Sequence, residues 1–318
     1  MKMHILVTGG AGYIGSVATR MLLDAGFQVR VLDDLSTGHR DAVPNDAEFV
    51  CVSILDELDQ HLQGIDAVMH FAGKSLVGES MQKPDLYWSV NRDGSENLIN
   101  AMKRNGINKL VFSSSAATYG EPTLIPIKEE AATFPTNVYG ETKLAVDQLL
   151  AANSHWLSSV SLRYFNVAGA LVTSDGVVGE RHQTETHLIP NVINWISNKK
   201  PVQVFGKDWP TPDETCIRDY VHVVDLIEAH LAALKILTTP GHHVINLGSG
   251  RGDSVLEVIK SIEAQLGISA DLEFLGRRPG DPAVLVAAYD QAHALLSWPP
   301  KRGMDQMVRD AIKAKTGQ

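Results

Sequence analysis

A glycine-rich turn near the N-terminus constrains the fold of this chain more than any other feature. Gly9, Gly12 and Gly15 follow directly after an apolar, β-prone run, His4–Thr8, and open a segment with apolar residues at helical spacing. The first two glycines let backbone N–H groups approach a pyrophosphate at the positive end of the helix dipole, and the third lets helix and strand pack closely. The pattern predicts a dinucleotide-binding βαβ unit.

The second predicted strand ends in a carboxylate that favours one dinucleotide over another. Asp33 follows Gly15 by eighteen residues, and no arginine follows it immediately. A carboxylate at this position accepts hydrogen bonds from ribose hydroxyls and repels a 2′-phosphate, so the sequence predicts NAD rather than NADP. Small residues then end the fourth predicted strand at Phe71, Ala72 and Gly73, where the backbone can pass close to the cofactor.

Alternating strand and helix patterns through the first half predict a parallel sheet with helices on both faces. The predicted strands are His4–Thr8, Gln28–Asp33, 48–52, 67–71, 109–113, 160–164 and 244–247, and the longer predicted helices are 84–105, 137–153 and 223–237. Periodicity weakens after Asn166. We therefore predict an α/β protein with a Rossmann-like, doubly wound domain over 1–166, to which 221–250 return, and a smaller C-terminal α/β lobe that covers a ligand over 167–220 and 251–318.

Composition excludes several other classes of protein. The formal net charge is −9, which argues against a general affinity for nucleic acid or anionic lipid. No apolar run approaches the length of a membrane span, and the N-terminal residues do not have the pattern of a signal peptide. The two cysteines, Cys51 and Cys216, suggest reduced thiols rather than a disulfide or zinc site. We expect a cytoplasmic protein without a metal.

A phenol and an ammonium group share one face of a predicted helix. Tyr139 and Lys143 stand at i and i+4, and Ser115 precedes Tyr139 by 24 residues at the end of a predicted strand. A nearby cation, together with an oxidised nicotinamide, favours phenolate over phenol and lowers the pKa of a tyrosine. The three residues therefore predict proton removal from a substrate hydroxyl while hydride leaves the same carbon. We interpret His70, considered by itself, as a residue packed within its strand rather than as a ligand.

With these motifs the chain resembles the extended short-chain dehydrogenase/reductases, and within them the UDP-glucose 4-epimerases. The motifs that carry the resemblance are the glycine turn, Tyr139–Lys143, Val77-Gly78-Glu79-Ser80, Leu162-Arg163-Tyr164-Phe165-Asn166, Pro210-Thr211-Pro212-Asp213, Ile217-Arg218-Asp219-Tyr220-Val221-His222-Val223 and Arg278-Pro279-Gly280-Asp281. The resemblance implies a tightly held NAD, oxidation of the hexose C4 to a ketone, rotation of the keto sugar, and hydride return to its opposite face.

The resemblance also implies the residues of both binding sites. For the cofactor these are Gly9, Gly12, Tyr13, Ile14, Gly15, Asp33, Ser53, Ile54, Phe71, Ala72, Gly73, Asn91, Ser113, Tyr139, Lys143, Tyr164 and Phe165. For the UDP-hexose substrate they are Ser115, Asn166, His187, Leu188, Gln203, Phe205, Arg218, Tyr220, Arg278 and Asp281, with the two arginines on the diphosphate. A homodimer through the two longer helices at 84–105 and 137–153 is likewise implied.

Several alternatives stay open beside this interpretation. The sequence departs from the family at Ser53, where an aspartate is usual, and at Lys74, which stands one position before the place of a cofactor-contacting lysine. Ala116 and Ala117 replace the acid and base pair of the 4,6-dehydratases and disfavour dehydration. Leu285 leaves acceptance of N-acetylhexosamines open, and a UDP-uronic acid is a further candidate. A dehydrogenase with net redox output and a non-enzymatic dinucleotide sensor are the remaining hypotheses.

Overall fold

The computed structural model describes residues 2–182, 184–278 and 281–317. Pro279 and Gly280, which belong to a motif singled out in the sequence, lie outside the described residues. The strands are β1 (His4–Thr8), β2 (Gln28–Asp33), β3 (Glu48–Cys51), β4 (Ala67–His70), β5 (Lys109–Ser115), β6 (Ser158–Tyr164), β7 (Asn166–Ala168), β8 (Ala170–Thr173), β9 (Gly176–Gly179), β10 (Val202–Phe205), β11 (Ile217–Arg218), β12 (Tyr220–His222), β13 (Gly241–Leu247), β14 (Asp253–Ser254), β15 (Leu272–Leu275) and β16 (Val284–Leu285).

The α-helices lie between these strands and at the C-terminal end of the described chain. They are α1 (Tyr13–Asp24), α2 (Val77–Gln82), α3 (Pro84–Tyr87), α4 (Gly94–Arg104), α5 (Val138–Ala152), α6 (Leu188–Ser197), α7 (Val223–Ile236), α8 (Val255–Leu266), α9 (Asp290–Leu296) and α10 (Met304–Thr316). Short 3₁₀ turns occur at Arg40–Ala42, Asp59–His61 and Ala116–Tyr119. Among the described helices, none combines the length and the apolar character needed to cross a bilayer.

The largest sheet that the described residues form has seven parallel strands in the order β13-β6-β5-β4-β1-β2-β3. Every residue of β4 is buried, as expected of a strand covered by helices on both faces. The chain order reverses between β1 and β4, and ligands of doubly wound sheets bind outside the carboxyl ends of the strands at such a point. This sheet confirms the predicted fold class.

Two apolar clusters cover the two faces of this sheet. One contains Leu22 of α1 with Leu226 and Ala229 of α7, and the other contains Leu98 of α4, together with α5 residues. The first face also buries residues from α9 and the segment after it, namely Ala292, Leu296 and Trp298. By their packing these residues belong with the large sheet, although they fall in the stretch predicted as the smaller lobe. The division into two domains stays a prediction.

A smaller layer of strands and helices follows β7. β10 pairs with β15, β11 pairs with β14 and β16, and β8 and β9 form a hairpin. A separate apolar cluster fills this layer, with buried residues from α6, α8 and α10 such as Val192, Val258 and Val308. Ser254 begins α8 with a capping box, because its hydroxyl accepts from the Glu257 N–H while the Glu257 carboxylate accepts from the Ser254 N–H.

The prediction of one continuous helix over 84–105 is wrong. α3 passes into a π-helical stretch, Trp88–Asp93, before α4 begins at Gly94. π-turns inside helices tend to occur at functional positions, and this one contains Asn91, whose buried amide holds two other elements together. The other predicted elements differ from the structure mainly at their ends: β5 extends to Ser115, and β13 already begins at Gly241.

Candidate functional site

One cleft of about 1560 Å³ brings together nearly all of the predicted site residues. It runs from the glycine turn, past the ends of β4 and β5, to the smaller layer. The predicted cofactor residues that line it are Gly9, Gly12, Tyr13, Ile14, Gly15, Asp33, Ile54, Phe71, Ala72, Gly73, Ser113, Tyr139, Lys143, Tyr164 and Phe165. The predicted substrate residues that line it are Ser115, Asn166, His187, Leu188, Gln203, Phe205, Arg218, Tyr220, Arg278 and Asp281. The roles of the individual residues remain predictions.

Two predicted cofactor residues lie away from this lining. The Ser53 N–H donates to Oδ2 of Asp56 (3.0 Å), and the Ser53 hydroxyl accepts from the Leu55 N–H (3.3 Å). Asn91 is buried, and its amide donates to the Lys74 carbonyl and the Thr142 hydroxyl, 3.0 Å each. Both N–H bonds of that amide are therefore used inside the protein, so the Asn91 side chain positions the Gly73 turn and α5 instead of donating to a ligand.

The glycine turn has the close backbone approaches that the sequence predicts. Gly9 has φ +71°, and a Cβ there would lie 2.6 Å from the backbone N of Ala72. A Cβ on Gly15 would lie 2.2 Å from the Gly9 carbonyl oxygen, closer than any real contact. Gly12 begins α1 without a side-chain cap, so first-turn N–H groups face the cleft. These features fit the pyrophosphate of a dinucleotide.

Asp33 closes the same end of the cleft. Its Oδ2 accepts from the Ala11 N–H (2.9 Å) and its Oδ1 accepts from the Leu35 N–H (2.8 Å). Burial raises the pKa of Asp33, and the two backbone donors offset part of that effect. Each carboxylate oxygen keeps a second lone pair, so the group can still accept from ribose hydroxyls, as the predicted NAD preference requires.

The three predicted catalytic residues come from the end of β5 and the first turns of α5. Asn137 caps α5 by accepting from the Gly140 N–H (2.9 Å), and the Ser80 hydroxyl accepts from the Tyr139 N–H (3.1 Å). A Cβ on Gly140 would lie 2.5 Å from the Ala117 carbonyl, so the helix start and the turn after Ser115 are in close contact. This contact sets the Ser115 and Tyr139 side chains beside one another in the cleft.

Burial governs the electrostatics of this site in the protein without its cofactor. Burial raises the pKa of Tyr139, and the hydrogen bond with Ser115 offsets this only in part. Burial also lowers the pKa of Lys143 to about 8, although the Asp147 carboxylate acts in the opposite direction. In the protein without its cofactor, burial therefore determines the direction of the Tyr139 pKa shift, and the lowering by Lys143 together with an oxidised nicotinamide stays a prediction.

The physical reason is that both groups share the same dry surroundings. The Lys143 ammonium donates to the Ser113 carbonyl (2.8 Å) and lies 5.9 Å from the centre of the Tyr139 ring. The cost of removing charge from water then outweighs the attraction of the two groups at that distance. The positive charge of the oxidised nicotinamide that the sequence predicts would act on the phenol in the same direction as Lys143.

His70 is a packed, buried residue of β4. Its ring nitrogens pair with the Thr8 hydroxyl (2.7 Å) and the Ser95 hydroxyl (2.8 Å), and burial lowers its pKa to about 3. The ring is thus neutral at ordinary pH, which agrees with its interpretation as a strand residue.

The opposite wall of the cleft carries the two predicted diphosphate ligands. The Arg218 guanidinium lies 3.6 Å from Oδ1 of Asp281, and the Arg278 guanidinium lies 3.9 Å above the centre of the Phe205 ring. Tyr220 is buried, and its strand β12 pairs with β7, in register with Asn166. Two guanidinium groups in an otherwise acidic protein are suited to bidentate contacts with phosphate oxygens.

The sequence alone indicates no role for Asp219, although the residue stands inside the motif Ile217-Arg218-Asp219-Tyr220-Val221-His222-Val223. Its buried carboxylate accepts from the backbone N–H groups of Ser249 (2.6 Å), Gly250 (3.0 Å) and Ala287 (3.1 Å). The only sequence signal for Asp219 was its position, since it is a carboxylate between two predicted ligands, Arg218 and Tyr220. We call the wall that carries the two predicted diphosphate ligands the diphosphate wall, and Asp219 ties it to the end of β13.

A second group that the sequence analysis did not identify lies on the connection between β9 and α6. We call it the Glu/His cluster: Glu180, His182, Glu185 and His187, whose ligand atoms all lie within 4.8 Å of one another. All four side chains line the cleft. Burial acts to raise the pKa of Glu180, but hydrogen bonds to the two histidines outweigh it and hold that pKa at about 2. Of these four residues, the resemblance predicts only His187, as a substrate residue.

The fold and the site together define a doubly wound α/β protein of the nucleotide-binding class. A model of the NAD dependent epimerase/dehydratase family matches residues 5–248. The chain belongs to this family, which confirms the resemblance drawn from its motifs.

Named relatives and solved structures agree with that assignment. Proteins named UDP-glucose 4-epimerase from Corynebacterium glutamicum and Streptomyces lividans are 45% and 46% identical, over 97% and 98% of this chain and 94% and 95% of their own lengths. The structure of the UDP-glucose 4-epimerase from Brucella ovis in complex with NAD matches with a TM-score of 0.94 at 40% identity, over 98% of both chains. That of the Bifidobacterium longum UDP-glucose 4-epimerase, with NAD⁺ and UDP, has a TM-score of 0.91 at 36% identity, over 99% of this chain and 98% of that one.

Proposed function

We propose that this protein is an NAD-dependent 4-epimerase that interconverts UDP-glucose and UDP-galactose. The observation that carries the proposal is the single cleft in which the glycine turn, the three predicted catalytic residues and the two arginines meet. The names of the relatives and structural neighbours, several of them complexes with NAD, support the same activity.

The glycine turn, Asp33 and the Gly73 backbone hold the dinucleotide in this proposal. When bound, NAD accepts hydride from the sugar carbon and returns it. Tyr139 takes the proton of the C4 hydroxyl and later gives it back, and Ser115 hydrogen-bonds the same oxygen. Lys143, which is positively charged below its pKa of about 8, favours the phenolate together with the oxidised cofactor.

Epimerisation also needs the nucleotide to stay fixed while the keto sugar turns. Arg218 and Arg278 neutralise the diphosphate on the far wall of the cleft, and Asp219 fixes the backbone next to Arg218. Ala116 and Ala117, at the positions where a dehydratase needs an acid and a base, have no side chain that can transfer a proton. The ketone therefore has no route to elimination and is reduced again.

The test is a cofactor-supplemented incubation with UDP-galactose, with C4 stereochemistry followed by NMR. We expect UDP-glucose to form while absorbance in the reduced-nicotinamide band stays constant. Tyr139→Phe should lower turnover by about 100-fold or more, because it removes the proton acceptor. Tyr289→Phe is the matched control, because that ring lies outside the cleft lining. Stoichiometric reduction of NAD, or a dehydrated product, would overturn the proposal.

A wider substrate range is the alternative within this proposal. Leu285 lines the cleft, and one structural neighbour is the UDP-Glc/GlcNAc 4-epimerase from Campylobacter jejuni. Incubation with UDP-N-acetylglucosamine and with UDP-glucuronate, beside UDP-galactose, distinguishes the alternatives by the relative kcat/KM for each sugar.

The proposal includes a homodimer formed through the helical run over 84–104 and α5. Leu86 and Trp88 are each 37% exposed on α3 and the π-helical stretch next to it. Such side chains gain by burial against a second copy of the same face. Sedimentation at micromolar concentration should give twice the chain mass, and a monomer would contradict the dimer.

We also place the protein in the cytoplasm. Cys51 and Cys216 are both free, which suits a reducing compartment. Subcellular fractionation tests this placement, and recovery from an oxidising compartment would contradict it.

A further inference from the structure

The Glu/His cluster lies on one short connection and faces the cleft. Its four side chains all come from residues 180–187, between the end of β9 and the start of α6. All four are partly buried. The predicted reaction assigns no step to Glu180, His182 or Glu185, so the convergence of these groups needs a separate explanation.

The donor atoms of the cluster point to a common centre. Oε1 of Glu180 lies 2.8 Å from Nδ1 of His182 and 2.6 Å from Nδ1 of His187. Oε1 of Glu185 lies 3.0 Å from the same nitrogen of His187. One carboxylate oxygen thus faces two imidazole nitrogens.

Hydrogen bonds do not account for the whole arrangement. Oε2 of Glu185 is buried and has no hydrogen-bond partner among the described residues, and Nδ1 of His182 shares a single Glu180 oxygen with Nδ1 of His187. The other oxygen of Glu185 is fixed, since it accepts from the backbone N–H groups of Thr186 and His187, 2.9 Å each. Buried polar atoms without partners are costly, and a cation between them would satisfy them.

The donor set defines the kind of cation. Two imidazole nitrogens and two carboxylate oxygens suit a divalent transition-metal ion such as Zn²⁺, whereas Mg²⁺ and Ca²⁺ prefer all-oxygen sites. Zinc bonds of about 2.1 Å place tetrahedral ligands about 3.4 Å apart. A set of donors within 4.8 Å of one another reaches that spacing with small side-chain movements.

We propose that the Glu/His cluster is a binding site for one Zn²⁺-like divalent ion per chain. The ion cross-links both ends of the connection and so fixes the first turn of α6, where Leu188 lines the cleft. It also neutralises two carboxylates in a cleft that has to accept phosphate groups. This site does not depend on the nature of the sugar substrate.

Direct binding tests the site on untagged, chelator-treated full-length protein. Calorimetric titration with Zn²⁺ should give one equivalent per chain with micromolar or tighter affinity, and Co²⁺ should give the visible absorption of a tetrahedral nitrogen and oxygen site. If the wild-type protein does not bind Zn²⁺ stoichiometrically, the proposal is overturned, and no variant is needed to show this.

A pair of double variants locates the ion. His182→Ala/Glu185→Gln should weaken Zn²⁺ binding by about 100-fold or more, since it removes two ligands. His155→Ala/Glu121→Gln, which changes one exposed histidine and one exposed glutamate elsewhere, should leave the affinity unchanged. Equal affinities of the two double variants would overturn the site.

Thermal unfolding gives a second measurement that does not need activity. Zn²⁺ should raise the Tm of the wild type and of the control variant but not that of the cluster variant. A cluster variant with normal circular dichroism and an unaltered response to Zn²⁺ would contradict the proposal. Because these experiments use no sugar, their failure would leave the epimerase proposal standing.

Discussion

Replacement of Lys143 by methionine should stabilise the cofactor-free protein while it abolishes turnover. Lys143 is almost fully buried, and its pKa falls from 10.5 to about 8 because burial disfavours the ammonium. The unfolded chain holds this proton up to the ordinary pKa, whereas the folded chain loses it near pH 8. Below pH 8 both states are charged, and the folded state carries the full cost of burying the charge.

The magnitude follows from the difference between the two pKa values. It corresponds to about 3 kcal/mol of lost stability at pH 7 and about 1 kcal/mol at pH 9.5. Between these pH values the unfolded state binds more protons than the folded state, so this contribution makes the free energy of unfolding of the wild type rise with pH. The advantage of Lys143→Met should therefore shrink by about 2 kcal/mol from pH 7 to pH 9.5.

Urea unfolding of NAD-free wild type and variant at the two pH values measures this change. Loss of the hydrogen bond to the Ser113 carbonyl shifts both measurements alike and does not affect the difference between them. Lys235→Met is the control, because Lys235 is exposed on α7 and its ammonium stays in water. A stability difference between Lys143→Met and wild type that is the same at both pH values would refute the reasoning.

Three further substitutions test the parts that surround the site. Gly15→Ala places a Cβ 2.2 Å from the Gly9 carbonyl, so NAD binding followed by fluorescence should weaken by about 100-fold; an unchanged Kd would contradict the predicted loop function. Asp33→Asn should raise the Kd for NAD by about tenfold and reduce the preference over NADP, as measured by calorimetry, whereas an unaltered preference would exclude Asp33 as the ribose ligand. Ser254→Ala removes the cap that receives the Glu257 N–H and should cost about 1 kcal/mol in urea unfolding with kcat unchanged; a loss much above 2 kcal/mol would show a larger role.

Local motifs made much of the cofactor side predictable. The glycine turn, Asp33 and the i, i+4 pair of Tyr139 and Lys143 are each defined within a few residues, so the sequence alone was enough to find them. The hairpin of β8 and β9 was missed because its strands are short, although Ser174-Asp175-Gly176 between apolar pairs is a turn signal.

Properties that depend on distant parts of the chain could not be predicted in this way. The pKa of Lys143 is set by burial among residues from several elements, and the π-helical stretch at Asn91 is stabilised by contacts with Lys74 and Thr142. The packing of Trp298 against α7, where its indole donates to the Asp225 carbonyl, joins residues 73 positions apart. Sequence periodicity contains no information on such pairings.

Under the proposed function, the position of Asp219 accounts for a cleft that holds a nucleotide still and leaves a sugar free. The residues on either side of it, Arg218 and Tyr220, line the diphosphate wall, while its carboxylate binds the backbone at the end of β13 in the large sheet. β13 lies next to β6, and β6 lies next to β5, which carries Ser115. The Asp219 carboxylate and the backbone hydrogen bonds of the sheet therefore connect the predicted diphosphate ligands to the predicted catalytic residues. The sheet sets the distance between the two groups of residues, so in the proposed reaction the sugar's link to the diphosphate is the part of the substrate left free to turn.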